Sequence, residues 1–167
     1  MKNKKPNKII IFCSDDVRIS YKAVNEIVNV FNNTEIHICE KKINFLWKIK
    51  IIFTLLLFGK LKNLLTLIKI PSSKNHLIHN KKIKFVNEYN DEYNFGISFN
   101  YPEKIEIKNF KIYNFHLGNL VDQRGSFIFF YKFLYNWKFL KLTFHEIDKD
   151  FDKGVILNEK LINIENY

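Results

Sequence analysis

The sequence predicts an α/β protein that folds as a single domain over residues 1–167, and three observations lead to this prediction. The first is the length of 167 residues, which suffices for one hydrophobic core without disulfides or metal. The second is a composition of 47% hydrophobic and 16% aromatic residues, which is typical of a packed globular protein. The third is an opening strand–helix–strand pattern, which favours a parallel sheet with a right-handed crossover.

The opening pattern can be followed residue by residue. Residues 9–13 form an uninterrupted apolar run that is typical of a buried parallel strand. Residues 14–16 (Ser-Asp-Asp) supply a turn and a helix cap. A helix follows because apolar residues recur at helical spacing, namely Ala23, Ile27, Val30 and Phe31. Residues 32–34 end this helix, and the alternation in residues 35–39 predicts a second strand.

Residues 45–70 are the most hydrophobic segment and predict a helix. Its longest apolar run, residues 51–58, has eight residues and is flanked by lysines. A membrane-spanning helix needs about 20 apolar residues, so a span is disfavoured. The favoured interpretation is a core helix, and the alternative is an amphipathic helix in contact with a membrane surface.

The remaining elements follow from shorter patterns. Residues 71–73 (Pro-Ser-Ser) end the long helix, and the polar residues 74–82 predict a loop. An aromatic-rich segment at residues 126–137 predicts a helix. Strands are predicted at residues 84–86, 95–99, 111–116 and 140–147, and residues 155–157 with 161–164 predict one or two more.

The charge is strongly positive, at +10 from 27 Lys plus Arg against 17 Asp plus Glu. One interpretation is attraction of an anionic substrate, and the other is a set of solvated lysines. The lysines are scattered, which favours the second interpretation. Arginine, which is suited to phosphate recognition, occurs only at Arg18 and Arg124, so we expect no nucleic-acid partner.

The two cysteines predict a reducing environment. Cys13 and Cys39 give neither a disulfide framework nor a CxxC metal signature, so we expect buried thiols and no metal site. Residues 1–8 are basic and lack the apolar region of a signal peptide. We therefore expect a cytoplasmic protein.

Two segments of the second half carry polar residues in a distinctive order. Residues 114–125 read NFHLGNLVDQRG, and residues 143–154 read TFHEIDKDFDKG. They resemble the two signatures of the folate-dependent formyltransferase family: a strand-ending Asn-x-His followed by Arg-Gly, and a Thr-x-His strand followed by an acidic loop and Asp-x-Gly. The resemblance implies a Rossmann-like three-layer α/β/α fold with a mostly parallel central sheet.

The resemblance also implies roles for individual residues. Asn114 would donate a hydrogen bond to the formyl oxygen, His116 would relay the proton of the amine, and Asp152 would orient His116. For His145, a packing or supporting role is favoured over catalysis. Three interpretations of Arg124 are open: it is a plain surface residue, it shapes the loop after His116, or it contacts a phosphate of the substrate. The residues that would bind the formyl donor, N10-formyltetrahydrofolate, are Phe99, Asn100, Tyr101, Asp148, Lys149 and Asp150.

Departures from the family pattern restrict which substrate could accept the formyl group. Residues 117–121 (LGNLV) replace the usual Pro-Ser-Leu-Leu-Pro. Residues 13–16 place two carboxylates where glycinamide ribonucleotide enzymes have a glycine-rich phosphate loop, and no segment resembles the tRNA-binding domain of methionyl-tRNA formyltransferases. The nearest type is therefore the sugar N-formyltransferases, which formylate a small-molecule amine, the amine of a nucleotide-linked amino sugar.

Two other functions are compatible with the same residues. The same trio would allow hydrolysis of formyltetrahydrofolate, with water as the acceptor. Alternatively, the chain is a formyltransferase-like binding protein that has lost activity, or a basic protein that is tethered to a membrane through residues 45–70. A homodimer is also compatible with the sequence.

Overall fold

A computed structural model of the chain describes residues 7–15, 18–42, 44–57, 82–106, 108–121, 123–125, 128, 137–149 and 154–163. The elements within these residues are β1 (Lys8–Ser14), α1 (Arg18–Val30), β2 (Glu35–Lys41), α2 (Phe45–Leu57), β3 (Ile83–Val86), β4 (Phe95–Phe99), β5 (Lys111–Leu117), β6 (Phe139–Glu146) and β7 (Ile156–Asn163). The strands have the order β3-β2-β1-β4-β5-β6-β7 in a mostly parallel sheet. The predicted α/β fold class is confirmed.

The chain divides into two compact units. The first contains Met1–Lys42 and Ser72–Tyr113, and the second contains Ile43–Pro71 and Asn114–Tyr167. Most of the predicted helix at 126–137 lies outside the described residues, as does the predicted loop at 74–82 apart from residue 82. The single domain over residues 1–167 stays a prediction.

The first unit contains the parallel strands that the opening pattern predicts. Strand β1 pairs in parallel with β2 on one side and with β4 on the other, and β2 pairs in parallel with β3. Helix α1 packs its apolar side chains on β1 and β2, because the helical spacing of these residues gives the helix one apolar face. The buried cluster consists of Ile9, Ile11, Cys13, Tyr21, Val24, Val28, Ile36, Ile38 and Ile83.

The two buried cysteines lie on opposite faces of this sheet. Phe12 of β1 is in register with Cys39 of β2, and side chains in register point to the same face. Cys13 follows Phe12 and therefore points to the other face, where it joins the cluster under α1. Both cysteines are buried, as predicted, and neither forms a disulfide.

In the second unit, β6 and β7 form an antiparallel pair that runs from Phe139 opposite Asn163 to Phe144 opposite Asn158. The register then shifts by one residue, so that His145 lies opposite Ile156. The segments 155–157 and 161–164, which predict one or two strands, overlap the single strand β7 (Ile156–Asn163), and residue 164 lies outside the described residues. The irregularity falls at His145, and irregularities of this kind often redirect a side chain next to a functional site.

For helix α2, the core helix and the amphipathic surface helix both stay predictions, because the side chains of residues 47, 48, 50, 51, 54 and 55 lie outside the described residues. Its described part ends at Leu57, and residues 58–70 of the predicted helix lie outside the described residues. Seven large apolar side chains of α2 are exposed: Phe45, Leu46, Ile49, Ile52, Phe53, Leu56 and Leu57. Among the residues that the structure describes, no helix has the length and apolar character that a membrane span requires.

Candidate active site

The Asn-x-His pair lies in the last part of β5. Alternate residues of a strand point to opposite faces, so Asn114 and His116 share one face, as the sequence predicts. Asn114 is half-buried, and His116 is only 7% exposed. On the other face, the ring of Phe115 packs on Phe144 of β6, with 4.6 Å between the ring centroids. Strand β6 therefore brings its own side chains next to the pair.

His145 of β6 holds the amide of Asn114. The distance between Nδ2 of Asn114 and Nε2 of His145 is 3.2 Å. The other ring nitrogen, Nδ1, lies 3.0 Å from the backbone oxygen of Glu146. A carbonyl oxygen only accepts hydrogen bonds, so Nδ1 carries the proton and Nε2 of the neutral ring accepts from Asn114. One N–H of the Asn114 amide is thereby engaged, and the second can donate to a ligand.

His116 is held by the loop that follows β5. Its Nε2 lies 2.7 Å from the backbone oxygen of Gln123, so Nε2 carries the proton that this bond requires. The rings of His116 and His145 are almost perpendicular, with 6.3 Å between their centroids. Asp152, which the sequence predicts to orient His116, lies outside the described residues, and its role stays a prediction.

The loop after β5 is built around a glycine. Gly118 has a φ of 138°, and a Cβ there would lie 2.5 Å from the backbone oxygen of Gln123. Asn119 and Gln123 close the loop, since the Gln123 N–H donates to the Asn119 oxygen and Oε1 of Gln123 accepts from the Asn119 N–H. Nε of the exposed Arg124 donates to the Leu120 oxygen, which supports the loop-shaping role. This loop stands where the family has Pro-Ser-Leu-Leu-Pro.

The Asp-x-Gly segment contains a second required glycine. The N–H of Glu146 donates to the oxygen of Val155 over 2.9 Å, which closes the loop between β6 and β7. A Cβ at Gly154 would lie 1.4 Å from the Glu146 oxygen, so a larger residue would displace the backbone. Of the predicted folate-binding residues in this loop, Asp148 and Lys149 are exposed and Asp150 lies outside the described residues.

The other predicted folate-binding residues belong to the first unit. Phe99 ends β4, and Asn100 follows it in the left-handed region, with a φ of 51° and its Nδ2 3.2 Å from Oγ of the buried Ser14. Tyr101 packs its ring on Phe12, with 5.5 Å between the centroids. Burial, reinforced by the nearby Cys39, raises the pKa of Tyr101 above its usual range, so its hydroxyl stays protonated. The ring of Tyr101 therefore contributes to the core of the first unit.

Two groups that lie beside the Asn-x-His pair were not predicted from the sequence. One is the carbonyl of Gln123, which has no sequence signal because every residue carries a backbone oxygen. The other is Thr143, whose fully buried hydroxyl donates to the Gly118 oxygen over 2.7 Å. Thr143 belongs to the Thr-x-His pattern, so its place in that signature was the available hint.

No protein-family model and no curated protein matches this sequence. Solved structures do match. The sugar 3N-formyltransferase WlaRD, solved in the presence of dTDP and 5-N-formyl-THF, gives a TM-score of 0.61 at 19% identity. The alignment covers 98% of this chain and 54% of that one. The Helicobacter canadensis N-formyltransferase, in complex with folinic acid and dTDP-3-aminofucose, gives a TM-score of 0.60 at 15% identity. That alignment covers 95% of this chain and 53% of the other.

The Bacillus halodurans phosphoribosylglycinamide formyltransferase is also similar, with a TM-score of 0.55 at 14% identity. That alignment covers 96% of this chain and 81% of the enzyme. The chain spans about half the length of WlaRD and of the Helicobacter canadensis N-formyltransferase. At these identities the likeness establishes the architecture. The chain has the α/β fold of formyltransferases.

Proposed function

We propose that the chain is an N-formyltransferase that moves a formyl group from N10-formyltetrahydrofolate to the amine of a nucleotide-linked amino sugar. The observation that carries the proposal is the Asn114 amide, held by His145 on the same face of β5 as His116. Formyl transfer needs a donor for the oxygen that becomes negative and a group that takes the proton of the amine. An amide and an imidazole side by side supply both.

The chemistry of the side chains fits the formyl donor. When bound, N10-formyltetrahydrofolate supplies an electrophilic formyl carbon. In the second unit we propose that Asp148, Lys149 and Asp150 contribute to its binding, because they belong to the loop that follows the Thr-x-His strand. In the first unit we propose Phe99, Asn100 and Tyr101, which lie at the carboxyl end of a parallel strand, where open α/β sheets bind ligands.

Each member of the trio has one task in this proposal. The second N–H of Asn114 donates to the formyl oxygen, and one such donor lowers a barrier by about 2.7–4 kcal/mol. His116 takes the proton of the attacking amine and returns it to N10 of the folate as the bond between N10 and the formyl carbon breaks, which contributes on the order of 10²–10⁴ in rate. Asp152 orients His116 from the loop that ends at Gly154.

Two observations support a nucleotide-linked amino sugar as the acceptor. The similar Helicobacter canadensis structure contains dTDP-3-aminofucose. The net charge of +10 would also attract an anionic diphosphate. Cytoplasmic location, a homodimer and membrane contact through residues 45–70 stay predictions, and the exposed side chains of α2 support the last of them.

The test is a direct assay of the transfer. The protein is incubated with N10-formyltetrahydrofolate and a panel of nucleotide-linked amino sugars, and mass spectrometry detects the gain of one formyl group. We expect Asn114→Ala and His116→Ala each to abolish the gain, whereas Asn33→Ala, in the exposed turn after α1, leaves it unchanged. Formyl transfer that survives both site substitutions would contradict the assignment.

The same assay separates the two other functions. A formyltetrahydrofolate hydrolase releases formate with no formylated sugar. A binding protein that has lost activity retains formyltetrahydrofolate in equilibrium dialysis but yields neither product.

A further inference from the structure

His145 is a buried polar side chain beside the Asn-x-His pair. It is 1% exposed, and both of its ring nitrogens have partners within hydrogen-bond distance: the Glu146 oxygen at 3.0 Å and Nδ2 of Asn114 at 3.2 Å. Burial of a polar ring is unfavourable unless its nitrogens are hydrogen-bonded, and these two bonds meet that requirement.

The two bonds together determine which way the Asn114 amide faces. The Glu146 carbonyl keeps the proton on Nδ1 of His145, so Nε2 presents a lone pair. A lone pair accepts an N–H and repels an oxygen, and Asn114 therefore turns its nitrogen toward His145. Rotation of the amide by half a turn would set its oxygen against that lone pair.

Contacts that do not involve His145 hold β5 and β6 together around Asn114. The hydroxyl of Thr143 donates to the Gly118 oxygen over 2.7 Å, and the Gly118 N–H donates to the Lys141 oxygen over 2.6 Å. On the other face, Phe115 packs on Phe144. These contacts connect β5 and β6, so we expect a substitution of His145 to leave the two strands paired.

We propose that His145 is a positioning residue: through Nε2 it keeps the Asn114 amide turned so that an N–H, and not the carbonyl oxygen, is offered to the formyl oxygen of the substrate. This inference rests on the proposed function. Without the acceptor at Nε2 the amide turns freely, and an oxygen aimed at a developing negative charge repels it. The loss then falls on kcat, because the ground-state formyl oxygen carries little charge.

A matched pair of substitutions tests this. In His145→Gln, Oε1 stands the same number of bonds from Cα as Nε2 and accepts from Asn114. In His145→Asn, the amide stands at the position of Nδ1 and leaves no acceptor at that of Nε2. We expect His145→Asn to lower kcat by about 10²-fold with little change in the KM for formyltetrahydrofolate, and His145→Gln to recover most of that loss.

Several outcomes would overturn the inference. They are a wild-type kcat in His145→Asn, a loss in His145→Gln as large as in His145→Asn, or a loss that appears as raised KM. Circular dichroism and thermal melting check that both variants fold.

A measurement on the unmodified protein does not depend on activity. Nitrogen NMR of His145 should find the proton on Nδ1 and an unprotonated Nε2. A proton on Nε2 would contradict the inference even if neither variant folds. If the wild-type chain transfers no formyl group while this NMR signature is present, the proposed function has failed and the positioning contact stands.

Discussion

At the scale of residues, a linked set of side chains in the first unit makes stability depend on pH. Oε1 of Glu35 lies 2.7 Å from Nζ of Lys84 and 2.9 Å from Nε2 of His37, whose Nδ1 lies 2.8 Å from the hydroxyl of Tyr93. The hydrogen bonds from Lys84 and then from His37 lower the pKa of Glu35 from 4.5 to about 2. The folded state therefore favours the ionised carboxylate.

The sign of the effect follows from this lowered pKa. A carboxyl whose pKa is lower in the folded than in the unfolded chain stabilises the fold above pH 4.5, and this contribution is lost as the pH falls toward about 2. We expect Glu35→Gln to reduce the free energy of unfolding by about 1 kcal/mol near neutral pH, because Lys84 is exposed and solvent screens the pair.

Denaturant unfolding at a series of pH values measures this contribution. The difference between Glu35→Gln and the wild-type chain should shrink below pH 4.5 and vanish near pH 2. The exposed Glu88→Gln, which makes the same chemical change, serves as the control. A difference that stays constant over this range would mean that the carboxylate is not ion-paired.

A second prediction at this scale concerns Gly154. We expect Gly154→Ala to destabilise the protein by about 1–3 kcal/mol, because the added methyl group would overlap the Glu146 oxygen and the loop between β6 and β7 would have to open. Urea unfolding measures the cost, and amide NMR locates the disturbance.

Gly125→Ala is the informative comparison for Gly154. Gly125 has a φ of 91° but no atom within 4 Å of a new Cβ. Any destabilisation in Gly125→Ala would therefore come from backbone strain and not from a steric clash. An unperturbed loop in Gly154→Ala would mean that the close approach between Gly154 and Glu146 is absent in solution.

At the scale of elements, α2 carries exposed apolar side chains whose positions the sequence did not specify. An apolar composition indicates that a helix is buried against another surface, but it does not specify which of its faces are buried. Only the structure locates the seven exposed side chains on α2. Exposed apolar side chains contribute little to stability and remain available to another surface.

We expect α2 to bind the chain to anionic membranes, as the sequence analysis allows. The exposed apolar side chains would enter the interface, and the excess of lysine would add attraction to phosphatidylserine. Sedimentation with phosphatidylcholine vesicles, with and without phosphatidylserine, measures the binding. Phe53→Ser combined with Leu56→Ser should abolish it at a cost of less than about 0.5 kcal/mol per site in stability.

The control for α2 removes equally exposed apolar side chains elsewhere. Val155 and Leu161 are 69% and 62% exposed, and their replacement by serine should leave vesicle binding unchanged. Equal sedimentation of the α2 variant and the wild-type chain would rule out membrane contact through this helix.

At the scale of the whole molecule, the fold was predictable because its strands are marked locally. The apolar run of β1 and the alternation of β2 each indicate a strand, and the helix between them requires the parallel pairing that the structure contains. The antiparallel pairing of β6 and β7 was not evident, since segments 155–157 and 161–164 left the number of strands open.

The site was predictable only in part. The shared face of Asn114 and His116 follows from the two-residue period of a strand. The contact between Asn114 and His145 depends on how β5 and β6 align, and no local pattern specifies that alignment. The Gln123 carbonyl that holds His116 depends on a loop conformation around Gly118.

The opposite orientations of Cys13 and Cys39 have a consequence for handling the protein. Neither thiol can reach the other while β1 and β2 remain paired, because the sheet itself separates them. A crosslink between them can form only in chains that have lost this pairing. Oxidation during purification would therefore trap misfolded molecules, and reducing agents should raise the yield of native protein.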